Sequence, residues 1–144
     1  MAKPDDIVNF LVTIPLFHGL NNKQLKQLAK RFVPRSYEAG KKIVTQGKGG
    51  EGMFVILSGR AEAVVESGDG TQNKVNEFGP REFFGEVAML DDGPRTASVI
   101  AIEPTDCLVL TRSDFIALMK MDADMAIEIT VALAKRLRRT ASMM

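Results

Sequence analysis

Residues 83–99 read FFGEVAMLDDGPRTASV, an order of residue types that suits the binding of an anion. Gly85 precedes a short apolar turn and lets main-chain amides approach a ligand closely. Arg95 follows Glu86 by nine residues, and the Asp-Asp-Gly-Pro run at 91–94 is strong turn chemistry that folds the chain back between them. The stretch therefore predicts a phosphate pocket in which Arg95 and Glu86 converge.

The residue types in this stretch indicate which phosphate is bound. Arg95 is the predicted phosphate ligand, because a guanidinium fork meets the two free oxygens of a cyclic phosphate in a bidentate manner. The amides of Glu86, Val87 and Ala88 lie where the dipole of the turn is positive. Glu86 is compatible with a neighbouring phosphate if Arg95 screens it and a ribose 2′-hydroxyl donates to it. With a hydroxyl from Thr96 at the wall, these residues predict a site for a cyclic ribonucleotide.

The same stretch resembles the phosphate-binding cassette of the cyclic nucleotide-binding domain family, whose pattern is Phe-Gly-Glu-x-Ala-x-Leu, a short turn, and Pro-Arg-x-Ala-x-Val. The resemblance continues through residues 14–17, Gln46-Gly47 and residues 53–56, and covers about residues 7–140. It implies that the glutamate holds the ribose and the arginine the phosphate, while main-chain amides up to that of Ala97 complete the site. The predicted ligand-binding residues are Phe84, Gly85, Glu86, Val87, Ala88, Arg95, Thr96, Ala97 and Thr140.

Thr140 enters this set only through the resemblance. Family members of the bacterial transcription-factor type contact adenine with a threonine and a serine late in the C-terminal helix, and Thr140 and Ala141 stand at those positions here. The pair Arg95-Thr96 occurs in relatives that bind cAMP as well as in relatives that select cGMP. We expect cAMP as the ligand, with cGMP as the alternative.

Short β-rich segments between glycine-containing turns occupy the middle of the chain. They are residues 33–37, 42–45, 53–58, 60–67, 74–78, 97–102 and 105–111. Seven or eight such strands suggest a double-sheet jelly roll, and the resemblance implies an eight-stranded antiparallel jelly-roll β-barrel. We expect a mainly β fold in one domain, 1–144, with N-terminal helices at 5–32, the roll with its cassette at 33–111, and a C-terminal helical pair at 113–140.

Helix signals flank the roll. Asn21 followed by Gln24 predicts a capping box at the start of a helix. In the C-terminal region, one apolar stripe recurs every four residues and is expected to pack on the roll: Met121, Met125, Ile129, Leu133 and Leu137. A second patch is formed by Ile127, Val131 and Ala134. This patch suits a partner helix, so that the pattern leaves a homodimer through the C-terminal helix open.

We expect the ligand to act through this helix. Binding would draw the cassette turn inward, and Val87, Met89 or Leu90 would then offer an altered apolar seat to the C-terminal helix. The helix would pass the signal to an effector protein whose identity the sequence does not reveal. Transcription-factor members of the family carry a helix-turn-helix domain after this helix, and we expect no DNA-binding domain here.

Composition limits the other classes of protein. Nineteen basic and 18 acidic residues give a net charge of +1, which provides no general field for nucleic acid. Cys107 lies in an apolar run, which is typical of a buried, reduced thiol. No apolar run approaches the ~20 residues of a membrane span, and the N-terminus lacks the core of a signal peptide. We expect a cytoplasmic protein without a membrane segment.

An enzyme is the main alternative of a different class. Metal-dependent jelly rolls use several histidines, whereas this chain has only His18, and it has no nucleophile elbow or phosphate-binding P-loop. We therefore expect no catalytic activity, no metal and no cofactor. The other alternative is a roll without a ligand that serves as a protein-interaction module, and nucleotide binding would separate it from the sensor.

Overall fold

A computed structural model describes residues 4–49, 52–91 and 93–142. These residues form two compact units, a helical unit from residues 4–31 and 113–142 and a β unit from residues 32–112. The predicted ligand-binding residues lie in the β unit, with the exception of Thr140, which belongs to the helical unit.

The β unit contains eight strands in the part of the chain that is described. They are β1 (Val33–Tyr37), β2 (Lys42–Val44), β3 (Gly52–Ser58), β4 (Ala61–Glu66), β5 (Gln72–Phe78), β6 (Phe83–Phe84), β7 (Ser98–Ala101) and β8 (Thr105–Thr111). One sheet has the order β1-β8-β3-β6 and the other the order β2-β7-β4-β5, and all pairs are antiparallel. A short helix, α3 (Glu86–Asp91), lies between β6 and β7.

This arrangement confirms the predicted antiparallel jelly roll, in the form of a sandwich of two sheets. Among the described residues no ladder joins one sheet to the other, so the roll is not a closed barrel. Within the described strands, β1 and β6 are the edges of one sheet and β2 and β5 are the edges of the other.

Side chains from both sheets form the core of the β unit. Its buried members are Phe54, Ile56, Ala61, Ala63, Phe78, Phe84, Val99, Cys107 and Val109. Burial of this apolar area is the main favourable term that holds the two sheets together. Desolvation raises the pKa of the Cys107 thiol to about 12, and this free cysteine is buried, as predicted.

The predicted strands agree with the observed ones to within two residues at each end. The strand that the sequence pattern missed is β6. Its two residues pair with β3 through Phe54–Phe84 and Val55–Phe83, and so short a segment has no alternation of its own to detect.

The helical unit contains four α-helices and one 3-10 turn within the described residues. They are α1 (Pro4–Leu11), the 3-10 turn Pro15–Phe17, α2 (Asn22–Ala29), α4 (Arg112–Met121) and α5 (Ala123–Ser142). The predicted capping box of α2 is present, since Gln24 N donates to Asn21 Oδ1 at 2.8 Å and Asn21 N donates to Gln24 Oε1 at 2.9 Å.

The expected apolar stripe of the C-terminal region is only partly buried. Met125 and Ile129 are buried, whereas Met121 and Leu137 are 69% and 71% exposed. Met121 belongs to α4 and not to α5. Along α5, residues four apart drift by about 40° per step around a helix of 3.6 residues per turn, so Leu137 has left the buried face. None of the helices in the described part of the chain could span a membrane.

Candidate functional site

Gly85 is the first fixed point of the cassette. It has φ +87°, which L side chains rarely adopt, and a Cβ at this position would lie 2.7 Å from the carbonyl oxygen of Gly52. Both the conformation and the close approach therefore require glycine here. β6 ends at Phe84, directly before it, so the sheet determines where the cassette turn begins.

The Phe84 side chain belongs to the core. It is 5% exposed, and its ring stacks on that of Phe54 with centroids 5.2 Å apart. Phe78 packs on the same ring, with centroids 5.1 Å apart. Phe84 thus anchors the start of the cassette through its side chain.

Arg95 carries the guanidinium that the sequence assigns to phosphate. The residue is 6% exposed, Nη2 donates to Gly52 O at 2.6 Å, and Nη1 donates to Gly85 O at 3.2 Å. The two carbonyl groups hold the fork beside the glycine that opens the cassette. The structure therefore brings Arg95 and Gly85 together. The convergence of Arg95 with Glu86, which the spacing predicts, stays a prediction.

The main chain of Arg95 is held from the other side. Its N–H donates to Lys48 O at 2.9 Å, and its carbonyl accepts from Gly47 N at 2.8 Å. Gly49 and Pro94 form an isolated antiparallel bridge next to this pair. Residues 47–49 therefore lie alongside Pro94 and Arg95 like an added strand.

The remaining cassette residues lie on α3. Glu86 is its first residue and is half-buried, and Met89 N donates to Gly85 O at 3.1 Å to close the first turn. Val87 is 64% exposed. Ala88 lies within α3, and its side chain falls outside the described residues.

The predicted turn after α3 is formed in part by Asp91, whose Oδ1 accepts from Gly93 N at 2.8 Å. Asp92 falls outside the described residues. Beyond Arg95, Thr96 is exposed, while Ala97 is half-buried and packs against the core of the β unit. The turn thus returns the chain to β7 one residue after Ala97.

Thr140 lies on α5, in the helical unit. Its side chain is exposed, and Oγ1 donates to Arg136 O at 3.1 Å within the same helix. This hydroxyl is therefore satisfied locally.

Sequence reasoning missed the part that Gly52 plays. This residue opens β3, where its approach to β8 leaves no room for a Cβ, and its carbonyl is a partner of Arg95. A main-chain acceptor has no residue type of its own, so the only available signal is a glycine just before the apolar run 53–56. Among the described residues, no cluster of three or more His, Cys, Asp or Glu side chains has a geometry for holding a metal ion.

Known proteins resemble this chain in sequence and in structure. Residues 34–122 match the family model described as cyclic nucleotide-binding domain. The chain is 36% identical over 124 residues to the cyclic AMP receptor protein of Thermus thermophilus, an alignment that covers 86% of this chain and 57% of that protein. It is 32% identical over 109 residues to the cAMP-dependent protein kinase regulatory subunit of Dictyostelium discoideum, covering 74% of this chain and 33% of that protein.

A solved structure gives the same result. The N-terminal domain of a transcriptional regulator from Streptomyces coelicolor superposes with a TM-score of 0.81 at 28% identity, covering 92% of this chain and 94% of that chain. The chain spans little more than half of the first curated relative and a third of the second. Since the family model matches more than half of its residues, the chain belongs to the cyclic nucleotide-binding domain family.

Proposed function

We propose that this protein is a regulatory sensor domain that binds cAMP, with cGMP as the alternative ligand, and that it is not an enzyme. The observation that carries the proposal is the buried guanidinium of Arg95, held beside Gly85 by two carbonyl groups. A guanidinium in surroundings of low dielectric attracts an anionic phosphate more strongly than one in water, and its fork matches two phosphate oxygens.

The choice of cAMP rests on the relatives. The receptor from Thermus thermophilus and the kinase subunit from Dictyostelium discoideum both have cAMP in their names, and both exceed 30% identity to this chain. Thr96, exposed beside Arg95, is the residue that we expect to influence the choice between the two bases.

Each remaining cassette residue receives a role in the proposal. Glu86, half-buried at the start of α3, would accept from the ribose 2′-hydroxyl. The main chain of Phe84, Gly85, Val87 and Ala88 would line the phosphate, and the amide of Ala97 would complete the site. Thr140 would contact the base through its exposed hydroxyl.

We further propose that the cassette communicates with α5 through the exposed face of α3. Val87 and Leu90 are three residues apart on this face and are 64% and 39% exposed, whereas Met89 is 2% exposed. Of the three side chains considered from the sequence, Val87 and Leu90 are thus the ones that are available to a moving helix. A coupling free energy of ~1–3 kcal/mol is typical of such systems.

The second apolar patch of α5 supports a homodimer. Ile127 and Val131 are 59% and 42% exposed, and Ala134 is exposed one turn further on. Their spacing of four and three residues matches the apolar seam of a two-stranded coiled coil. We propose that two copies pair there, in the cytoplasm, and present the signal to an effector protein.

Titration calorimetry of nucleotide-stripped protein with cAMP and with cGMP tests the ligand. We expect saturable binding of cAMP in the micromolar range or tighter, and we expect Glu86→Ala to reduce the preference for cAMP over its 2′-deoxy analogue. A correctly folded protein that binds neither nucleotide would contradict the proposal.

Amide hydrogen exchange along α5 tests the coupling. We expect saturating cAMP to change the exchange rates of α5, and we expect Val87→Ser to reduce that change while nucleotide binding persists. If the amide exchange rates of α5 were identical with and without bound nucleotide, the proposed coupling would be contradicted, although the domain would still bind nucleotide.

A further inference from the structure

A short segment, residues 46–49, makes hydrogen bonds to both the main-chain N–H and the main-chain carbonyl of Arg95. We call this segment the strap. Lys48 O accepts from Arg95 N at 2.9 Å, and Gly47 N donates to Arg95 O at 2.8 Å. The strap is itself a turn, closed by Lys48 N, which donates to Thr45 O at 3.2 Å, with Gly47 at φ +81°. This turn therefore contributes to placing the main chain of Arg95.

Gln46 fastens the strap to the sheet that contains β4 and β7. Its Oε1 accepts from Glu66 N at 2.7 Å, and its Nε2 donates to Glu66 O at 3.1 Å. Its own main-chain N donates to Ser98 Oγ at 2.9 Å, and Ser98 is 6% exposed. Gln46 is thus held at the end of β4 by its side chain and at the start of β7 by its main chain.

The paired bonds to Glu66 require an amide side chain. A primary amide carries a donor and an acceptor side by side, which is what the N–H and C=O of one extended residue need. A carboxylate has no donor for the Glu66 carbonyl, and a thioether of similar length offers neither strong group. At position 46, therefore, glutamine joins β4 to the turn by the same pattern of bonds that a further strand would make.

We propose that Gln46 is a positioning residue for the phosphate site, acting through the strap on Arg95. This inference rests on the proposed nucleotide site. From the present position of the Arg95 main chain, the guanidinium reaches both Gly52 O and Gly85 O. A loosened strap lets that main chain shift, and the two-point match to a cyclic phosphate is then degraded although every ligand-contacting residue remains.

The first test replaces Gln46 by a side chain of the same length without the amide. Gln46→Met is expected to weaken binding of cAMP by about fivefold, a change in affinity of the size of one ordinary hydrogen bond. It is also expected to accelerate amide exchange at Arg95 N–H, which donates to the strap, at least about threefold, while the β3 and β8 amides are unchanged.

Gln72→Met is the matched control. Gln72 lies opposite Glu66 in the β4–β5 ladder and is exposed, and it is not part of the strap. This variant removes a glutamine next to the same residue, so we expect wild-type nucleotide affinity and wild-type exchange at Arg95. An equal loss of affinity in both variants would overturn the proposal.

A double-mutant cycle with Arg95→Lys tests whether Gln46 acts through Arg95. A lysine lacks the fork, so the added Gln46→Met change is expected to cost less than about twofold in that background. A full fivefold loss in both backgrounds would show that Gln46 acts elsewhere. If the wild-type protein bound no cyclic nucleotide, the proposed function would fail. Unchanged amide exchange at Arg95 in Gln46→Met would separately overturn the proposal that Gln46 positions Arg95 through the strap.

Discussion

The carbonyl oxygen of Gly52 accepts a 2.6 Å hydrogen bond from Nη2 of Arg95, which lies 43 residues later in the chain. This bond joins the first residue of β3 to the segment between α3 and β7. It orients a buried charge with a main-chain group, and the orientation therefore depends on how the strands are placed.

Arg95→Lys tests the guanidinium fork. The charge is kept, but one ammonium cannot donate to both carbonyl groups and also meet two phosphate oxygens. We expect the affinity for cAMP, measured by calorimetry, to fall at least about tenfold with the thermal unfolding transition retained. Arg81→Lys, at an exposed position of the same unit, serves as the control and should bind normally.

Gly85→Ala tests the close approach at the start of the cassette. We expect loss of nucleotide binding and a drop in unfolding free energy, because the new methyl group would meet Gly52 O at φ +87°. Gly70→Ala is the matched control, since Gly70 also has φ +87° but a Cβ there would meet nothing within 4 Å. The control should lose only the about 1 kcal/mol of unfolding free energy that placing an alanine at positive φ costs. Equal destabilisation in both variants would contradict the steric argument.

Gln24 and Asp122 test a polar junction within the helical unit. Gln24 Nε2 donates to Asp122 Oδ2 at 3.3 Å, while Asp122 Oδ1 accepts from Met125 N at 3.0 Å at the start of α5. Gln24→Glu retains the acceptor of the capping box but places two carboxylates together. We expect a loss of about 1 kcal/mol in denaturant unfolding.

The double variant Gln24→Glu with Asp122→Asn should recover most of that loss, because the asparagine amide would donate to the new glutamate and its oxygen would still cap α5. No recovery would mean that the loss in Gln24→Glu does not come from the two facing carboxylates, and it would contradict the proposed junction.

Glu77 gives the β unit a stability that depends on pH. Lys74 Nζ donates to Glu77 Oε1 at 2.6 Å and Arg60 Nε donates to Oε2 at 2.8 Å, and these bonds hold the pKa of Glu77 below its ordinary value. A carboxyl group whose pKa is lowered by folding stabilises the folded state above its unfolded pKa, and this contribution is lost as the pH falls through the folded pKa.

Thermal unfolding between pH 7 and pH 3 measures this effect. Glu77→Gln is expected to lower the melting temperature at pH 7 and to flatten its decline on the acid side. Glu38→Gln, at an exposed position after β1, should leave the decline as it is in the wild type. Parallel curves for wild type and Glu77→Gln would contradict the assigned pairing.

Much of the fold could be predicted because its signals are local. The capping box of Asn21 and Gln24 depends on residues three apart, and the strands depend on alternation over a few residues. β6 was missed because pairing with β3, and not its own pattern, makes its two residues a strand. The stripe that included Leu137 was wrong because a four-residue repeat drifts around a helix whose period is 3.6.

The sequence by itself determined the chemistry of the candidate site. A glycine, a glutamate and an arginine at this spacing predict an anion site whatever surrounds them, because charge and backbone freedom are properties of the residue types. Only the tertiary structure decided what holds Arg95 in place, namely Gly52 O beside its side chain and the strap beside its main chain. Carbonyl and amide groups are present at every position, and their use depends on strands from distant parts of the sequence being brought within about 3 Å.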